Sequence, residues 1–130
     1  VLPLRAAATE ASLGDIEHGV MRPTFRDPRV HYAVNSASIG YPNLRPRAFR
    51  AATLEAELDE AARAFVNHPR GVSVLPDGRL RVSSIYHWFK DDFGGEDAGV
   101  IAHLRRHAAP RWPPRWQRRP PSPGTPMTGR

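Results

Sequence analysis

The sequence predicts an α+β domain. Two observations carry that expectation: a helical stripe of apolar residues from Leu54 to Phe65, and a turn, Pro76-Asp77-Gly78, set between two short alternating runs. Around them the order reads helix, strand, helix, hairpin, helix, helix, the pattern of an α+β rather than a βαβ fold. At 130 residues the chain has room for one domain.

Each element has a local reason. Ser12 with Asp15 three residues on reads as a helix N-cap with an acidic partner, and Leu13, Ile16, Val20 and Met21 recur at helical spacing up to Pro23. Asp27-Pro28 reads as a turn. Val30 to Asn35 then alternates as a central strand, with Val30, Tyr32 and Val34 on one face and His31, Ala33 and Asn35 on the other. Gly40, Pro42, Asn43 and Pro46 make the segment from Ser36 to Pro46 a loop.

Thr53 is placed to cap a second helix in which Leu54, Leu58, Ala61, Ala62 and Phe65 form the apolar stripe, and Asn67-His68-Pro69 stops it. Val72 to Leu75 and Leu80 to Val82 form the hairpin strands. Between them Pro76 fixes φ and Gly78 supplies a positive one. Ile85 to Phe93 and Ala98 to Ala108 read as helical segments separated at Gly94-Gly95, with Tyr86, Trp88, Phe89 and Phe93 as core material.

The formal net charge of +6 is concentrated at one end. Residues 110–130 hold five arginines and no acid, leaving +1 for the first 109 residues, so the charge gives no reason to expect nucleic-acid binding by the folded part. Seven of those 21 residues are proline, which predicts a disordered tail after a domain at 1–109. Arg111-Trp112 and Arg115-Trp116 interleave cations with aromatics, but the prolines prevent a regular face. No run approaches the 18 to 20 or so apolar residues of a membrane span, and the absence of cysteine excludes a disulfide, a thiolate metal site or a cysteine nucleophile.

The segment D-P-R-V-H-Y-A-V-N-S-A-S-I-G-Y-P-N-L-R-P, from Asp27 to Pro46, resembles the bacterial and plant family called domain of unknown function 547, which reads roughly D-P-R-[VI]-H-F-A-L-N-C-[AG]-S-x-[SG]-C-P-x-L there. The resemblance extends upstream to Ser12 to Pro23 and downstream to Ser83 to Phe93, covering about residues 12 to 108. Ser36 stands at the family's first cysteine and Tyr41 at its second. The resemblance implies a further upstream segment with an N-A-Y-N-like motif. With the chain starting at Val1, a partial domain is therefore expected. It also implies an extracytoplasmic setting, and a papain-like or transglutaminase-like fold by analogy only.

The candidate catalytic residues are Ser36 as nucleophile with His31 or His18 as base; Asn35, Glu17 and Tyr41 are candidate binding or orienting groups. A serine hydroxyl is inert without a closely placed base, so replacing a family cysteine by Ser36 argues against turnover. His31 and Ser36 converge only if the chain bends after Asn35. His103 and His107 have the i, i+4 spacing of a zinc site, but Arg105 and Arg106 beside them favour a solvated helix end. Asp92-Phe93-Gly94 matches a kinase magnesium motif without the other kinase elements and is read as coincidence.

The expected function is therefore a non-catalytic binding or structural module whose partner the sequence leaves unknown, a protein being the candidate, with no metal or cofactor expected. One alternative is a hydrolase or transferase of thiol-protease-like ancestry using Ser36 with His31 or His18. The other is a truncated, frame-shifted gene fragment, since Arg/Pro-rich text after a loss of similarity is what a shifted frame in GC-rich DNA gives.

Overall fold

The computed structural model describes residues 4–6, 9–112 and 127–129, and most of the tail expected at 110–130 lies outside them. Strands β1 (Leu4–Ala6) and β2 (Thr9–Ala11) pair antiparallel with Leu4 opposite Ala11. A helical run follows, a π-helix over Asp15–Met21 continuing into α1 (Arg22–Phe25). Next come a 3-10 helix at Pro28–Tyr32, a long loop, and a 3-10 turn at Ala51–Thr53 leading into α2 (Leu54–Val66). Strands β3 (Val72–Val74) and β4 (Leu80–Val82) form the expected hairpin. After α3 (Ile85–Trp88), a 3-10 helix at Lys90–Phe93 and α4 (Asp97–His107), β5 (Met127–Gly129) pairs parallel with β4. The fold is α+β, and no helix among the described residues is long and apolar enough to cross a membrane.

The first helix starts as its sequence predicts. Ser12 Oγ accepts from the Asp15 amide at 3.1 Å, and Asp15 Oδ2 accepts from the Ser12 amide at 2.8 Å, a reciprocal cap. It does not end at Pro23. The backbone widens to π register, with the Arg22 amide donating to the Glu17 carbonyl, and runs through Pro23 to Phe25 before Arg26 closes it at φ 49°. Pro23 can neither donate nor clear the preceding turn, and a locally widened turn relieves both demands. The same register turns Leu13 and Val20 outward and Glu17 inward, so the expected apolar stripe is not the buried face.

The central strand expected at Val30 to Asn35 is absent; its first half is the 3-10 helix. Asp27-Pro28 is a helix start rather than a turn. Asp27 Oδ1 accepts from the Arg29 amide at 2.9 Å, and Pro28 occupies the first helical turn, where its missing N–H costs nothing. Val30, His31 and Tyr32 are consecutively buried, which strand alternation would not allow. Arg29 then clamps this turn to α2, donating to Asp27, to Glu55 at 2.7 Å and to Asp59 at 2.9 Å.

Helix α2 buries Leu58, Ala62, Phe65 and Val66 against α4 and the 3-10 helix at Pro28–Tyr32. Asn67 ends it and also cross-links it. Its Nδ2 donates to the Arg63 carbonyl at 2.7 Å and the His107 carbonyl at 2.9 Å, while its Oδ1 accepts from the Ala109 amide at 2.7 Å. Gly78, at φ 82°, closes the hairpin turn, and Gly94 and Gly95, at φ 108° and 80°, separate the last two helical segments. Of the aromatic block expected in the core, Tyr86 and Phe93 are buried and Phe89 half-buried, whereas Trp88 is exposed. Trp112 also joins the core.

Candidate functional site

His31 sits where the π-helix, the 3-10 helix at Pro28–Tyr32 and the 3-10 helix at Lys90–Phe93 meet. Its side chain is 0% exposed. The imidazole stacks on Phe89 with ring centroids 4.3 Å apart and leans on Phe93 at 5.5 Å. Because a carboxylate only accepts, the 2.7 Å contact with Asp92 assigns the proton: His31 Nε2–H donates to Asp92 Oδ2. Arg22 Nε donates to the same oxygen at 2.6 Å, and its guanidinium lies 4.8 Å from the Phe89 ring centre.

Burial alone would raise the Asp92 carboxyl, but the hydrogen bonds from Arg22 and His31 together outweigh it and hold the group below the usual carboxylate range. For His31 the balance runs the other way. Burial lowers its pKa more than Asp92 and Glu17 raise it, so the neutral ring is favoured. Its Nδ1 therefore presents a lone pair toward Glu17 Oε1, 3.8 Å away, and neither atom has a hydrogen-bond partner among the described residues. That contact is an ion pair only when His31 is protonated.

A histidine oriented by a carboxylate is half of a nucleophile-activating relay. The other half needs a ring nitrogen within about 3 Å of the proton it abstracts. Here one nitrogen is committed to Asp92, the other faces Glu17, and the ring is shut off from solvent. The arrangement ties three chain segments together and leaves no basic nitrogen open to a substrate.

The remaining candidate residues are distributed around this hub. Ser36 is exposed in the following loop, and no hydrogen bond among the described residues joins it to His31 or His18. His18 is exposed on the π-helix, with Arg22 Nη1 3.3 Å from its Nδ1. Asn35 shapes the loop: its Oδ1 accepts from the Ala37 amide at 2.6 Å and its Nδ2 donates to the Pro42 carbonyl at 2.8 Å. That side-chain bond supports Ala37 in the left-handed region, at φ 54°. Tyr41 is buried in the core, its ring 6.3 Å from Trp88. Among the expected residues, Glu17 and His31 are brought together; Ser36 is not joined to either histidine.

Asp92 and Arg22 complete the hub, and neither is among the candidate site residues of the sequence, where Asp92 figures in the Asp92-Phe93-Gly94 match read as coincidence. Asp92 lies 61 positions from His31. The available signals are the places of Arg22 and Asp92 in the two outer blocks of the resemblance, Ser12 to Pro23 and Ser83 to Phe93.

A second polar chain runs through the core. The Tyr86 and Tyr32 hydroxyls are 3.2 Å apart, and the Tyr32 hydroxyl is 2.8 Å from His103 Nε2. His103 and His107 are not on a solvated helix end: they are 6% and 5% exposed, on the side of α4 that also buries Val100 and Leu104. Burial, with His107 and Arg106 nearby, pushes His103 down to about 3. His107 is lowered as well, chiefly by burial, and its Nδ1 has no hydrogen-bond partner among the described residues. Among the described residues no group of three or more His, Asp or Glu side chains is placed to hold a metal ion.

A family model described as protein of unknown function, DUF547, matches residues 5–66. No curated protein and no solved structure matches the chain. The match takes in Glu17, His31, Ser36 and Tyr41 but stops before the segment from Ser83 to Phe93 that supplies Asp92. Over residues 5–66, then, just under half of its 130 residues, the chain is similar to the DUF547 family.

Proposed function

We propose that this protein is a non-catalytic binding or structural module of the DUF547 type. The observation that carries the reading is the state of its one buried candidate base. His31 is sealed from solvent, its Nε2–H is spent on Asp92, and Ser36 stands exposed without a histidine to activate it. A serine without a positioned base is a poor nucleophile, and a base without access to a substrate proton cannot assist one. At the family's second cysteine position, the Tyr41 ring packs in the core. The polar groups of the hub join α1 and the 3-10 helices at Pro28–Tyr32 and Lys90–Phe93, which supports a structural role for them.

The purified protein, treated with a serine-directed fluorophosphonate probe and read by intact mass, is expected to stay unlabelled at Ser36. Stoichiometric labelling that disappears in Ser36→Ala would overturn the reading in favour of a serine hydrolase or transferase.

A further inference from the structure

A cleft of about 360 Å³, lined by none of the hub residues, opens between α2 and the loop carrying Pro42 and Pro46. We propose that it binds a small carboxylate with a flat apolar body, the acid group held by Arg70. This rests on the binding-module reading above and names its ligand.

The cleft exists because of what the sequence puts along it. Helix α2 presents Ala61 and Ala64 there, short side chains that leave space over Tyr32 and Phe65. The opposite wall is held in place before any ligand arrives. Proline fixes φ at 42 and 46, Asn35 holds the Pro42 carbonyl, and Arg70 donates to Asn43 Oδ1 at 2.7 Å and to the Ile39 carbonyl at 3.4 Å. A volume of 360 Å³ accommodates about a dozen waters at roughly 30 Å³ each, and hence a ligand of about that many non-hydrogen atoms.

The charges select the ligand's sign. Two arginines and one carboxylate, Glu60, line the cleft, and the arginines differ in what they already hold. Arg45 is paired with Glu60 at 3.5 Å and Glu57 at 3.8 Å. Arg70 bonds only neutral acceptors, and no carboxylate among the described residues pairs with it. Its charge is therefore uncompensated at the rim of an apolar floor. His68 adds a second donor: its Nδ1 accepts from the Arg70 amide at 3.1 Å, which leaves the proton of the neutral ring on Nε2. A guanidinium and an imidazole N–H lining one cleft suit a carboxylate, and charge-assisted bonds of this kind are the stronger class.

The probe is 2-naphthoate, with 2-naphthamide as its neutral match in size and shape, titrated into the labelled full chain by NMR and by calorimetry. Expected are saturable one-to-one binding, amide shifts centred on α2 and residues 42–46, and affinity about tenfold or more weaker for the amide and for Arg70→Met. Ala64→Phe, on an exposed face of α2, fills the cleft and is expected to abolish binding; it carries the test if Arg70→Met does not fold. The proposal is overturned by absence of saturation at millimolar naphthoate, or by binding that Ala64→Phe and the amide substitution leave unchanged. Failure here removes only the ligand class, whereas fluorophosphonate labelling of Ser36 removes the non-catalytic reading and leaves the naphthoate titration interpretable.

Discussion

Acidification from pH 7 to 5 should destabilise this protein through His103 before its carboxylates matter. His103 is buried, and its pKa in the fold is pushed down to about 3 from the ordinary 6.5. A histidine whose folded pKa is depressed binds its proton better in the unfolded chain. Stability is therefore full above about pH 6.5 and falls as pH drops toward 3, below which no more is lost from this group. Between pH 7 and 5 the loss from this residue is about 2 kcal/mol, since each unit of pKa difference is worth about 1.4 kcal/mol and the first half unit below pH 7 is only partly felt. Over that interval most unfolded carboxyls, at about 3.9 to 4.3, remain ionised. His31 and His107, both lowered mainly by burial, act in the same direction. Urea unfolding followed by circular dichroism at pH 7 and pH 5 measures the total, and His103→Gln isolates the share. The amide can still bond the Tyr32 hydroxyl but cannot titrate. The variant should lose about 2 kcal/mol less than the parent over the interval; equal losses in the two proteins would refute the assignment.

Four further substitutions probe the packing. Asp92→Ala leaves the buried His31 N–H and Arg22 without their shared acceptor, and should cost about 2 to 3 kcal/mol in urea midpoints at unchanged slope. Glu17→Gln replaces a carboxylate facing a lone pair with an amide able to donate to His31 Nδ1, so a gain of about 1 kcal/mol is expected by the same measurement. Gly71→Ala would put a β-carbon on the Phe65 backbone carbonyl, which cannot rotate away, and should lower stability by more than about 2 kcal/mol. Tyr41→Ala empties a core position and should cost about 3 kcal/mol by thermal or urea unfolding.

The readable parts of this fold are those whose cause is local. The Ser12 cap, the positive φ of Gly78 in the hairpin, the paired glycines before α4 and the stripe of α2 all follow from residues within a turn of each other. The segment at 28–32 differs from its sequence expectation because Asp-Pro opens either a turn or a helix, and Val-His-Tyr carries strand propensity that packing overrides. Three consecutive buried residues are a tertiary fact, set by Arg29 reaching α2 and Asp92 reaching His31. His103 and His107 are a different case. Both share a face with Val100 and Leu104, and that spacing, rather than the neighbouring arginines, was the signal to follow.

The same distinction bears on function. A family motif records which side chains stand near one another along the chain, but chemistry depends on which nitrogen remains open in space. His31 keeps its place in the motif while both its nitrogens face carboxylates and its ring lies against Phe89. Opening that ring to a substrate would require parting Arg22 and His31 from Asp92, two charge-assisted bonds at 2.6 and 2.7 Å. The cleft beside α2 needs no such rearrangement: its floor is apolar, its wall is braced, and among the described residues Arg70 is held by neutral acceptors. Recognition at the cleft therefore asks less of this fold than catalysis at the hub.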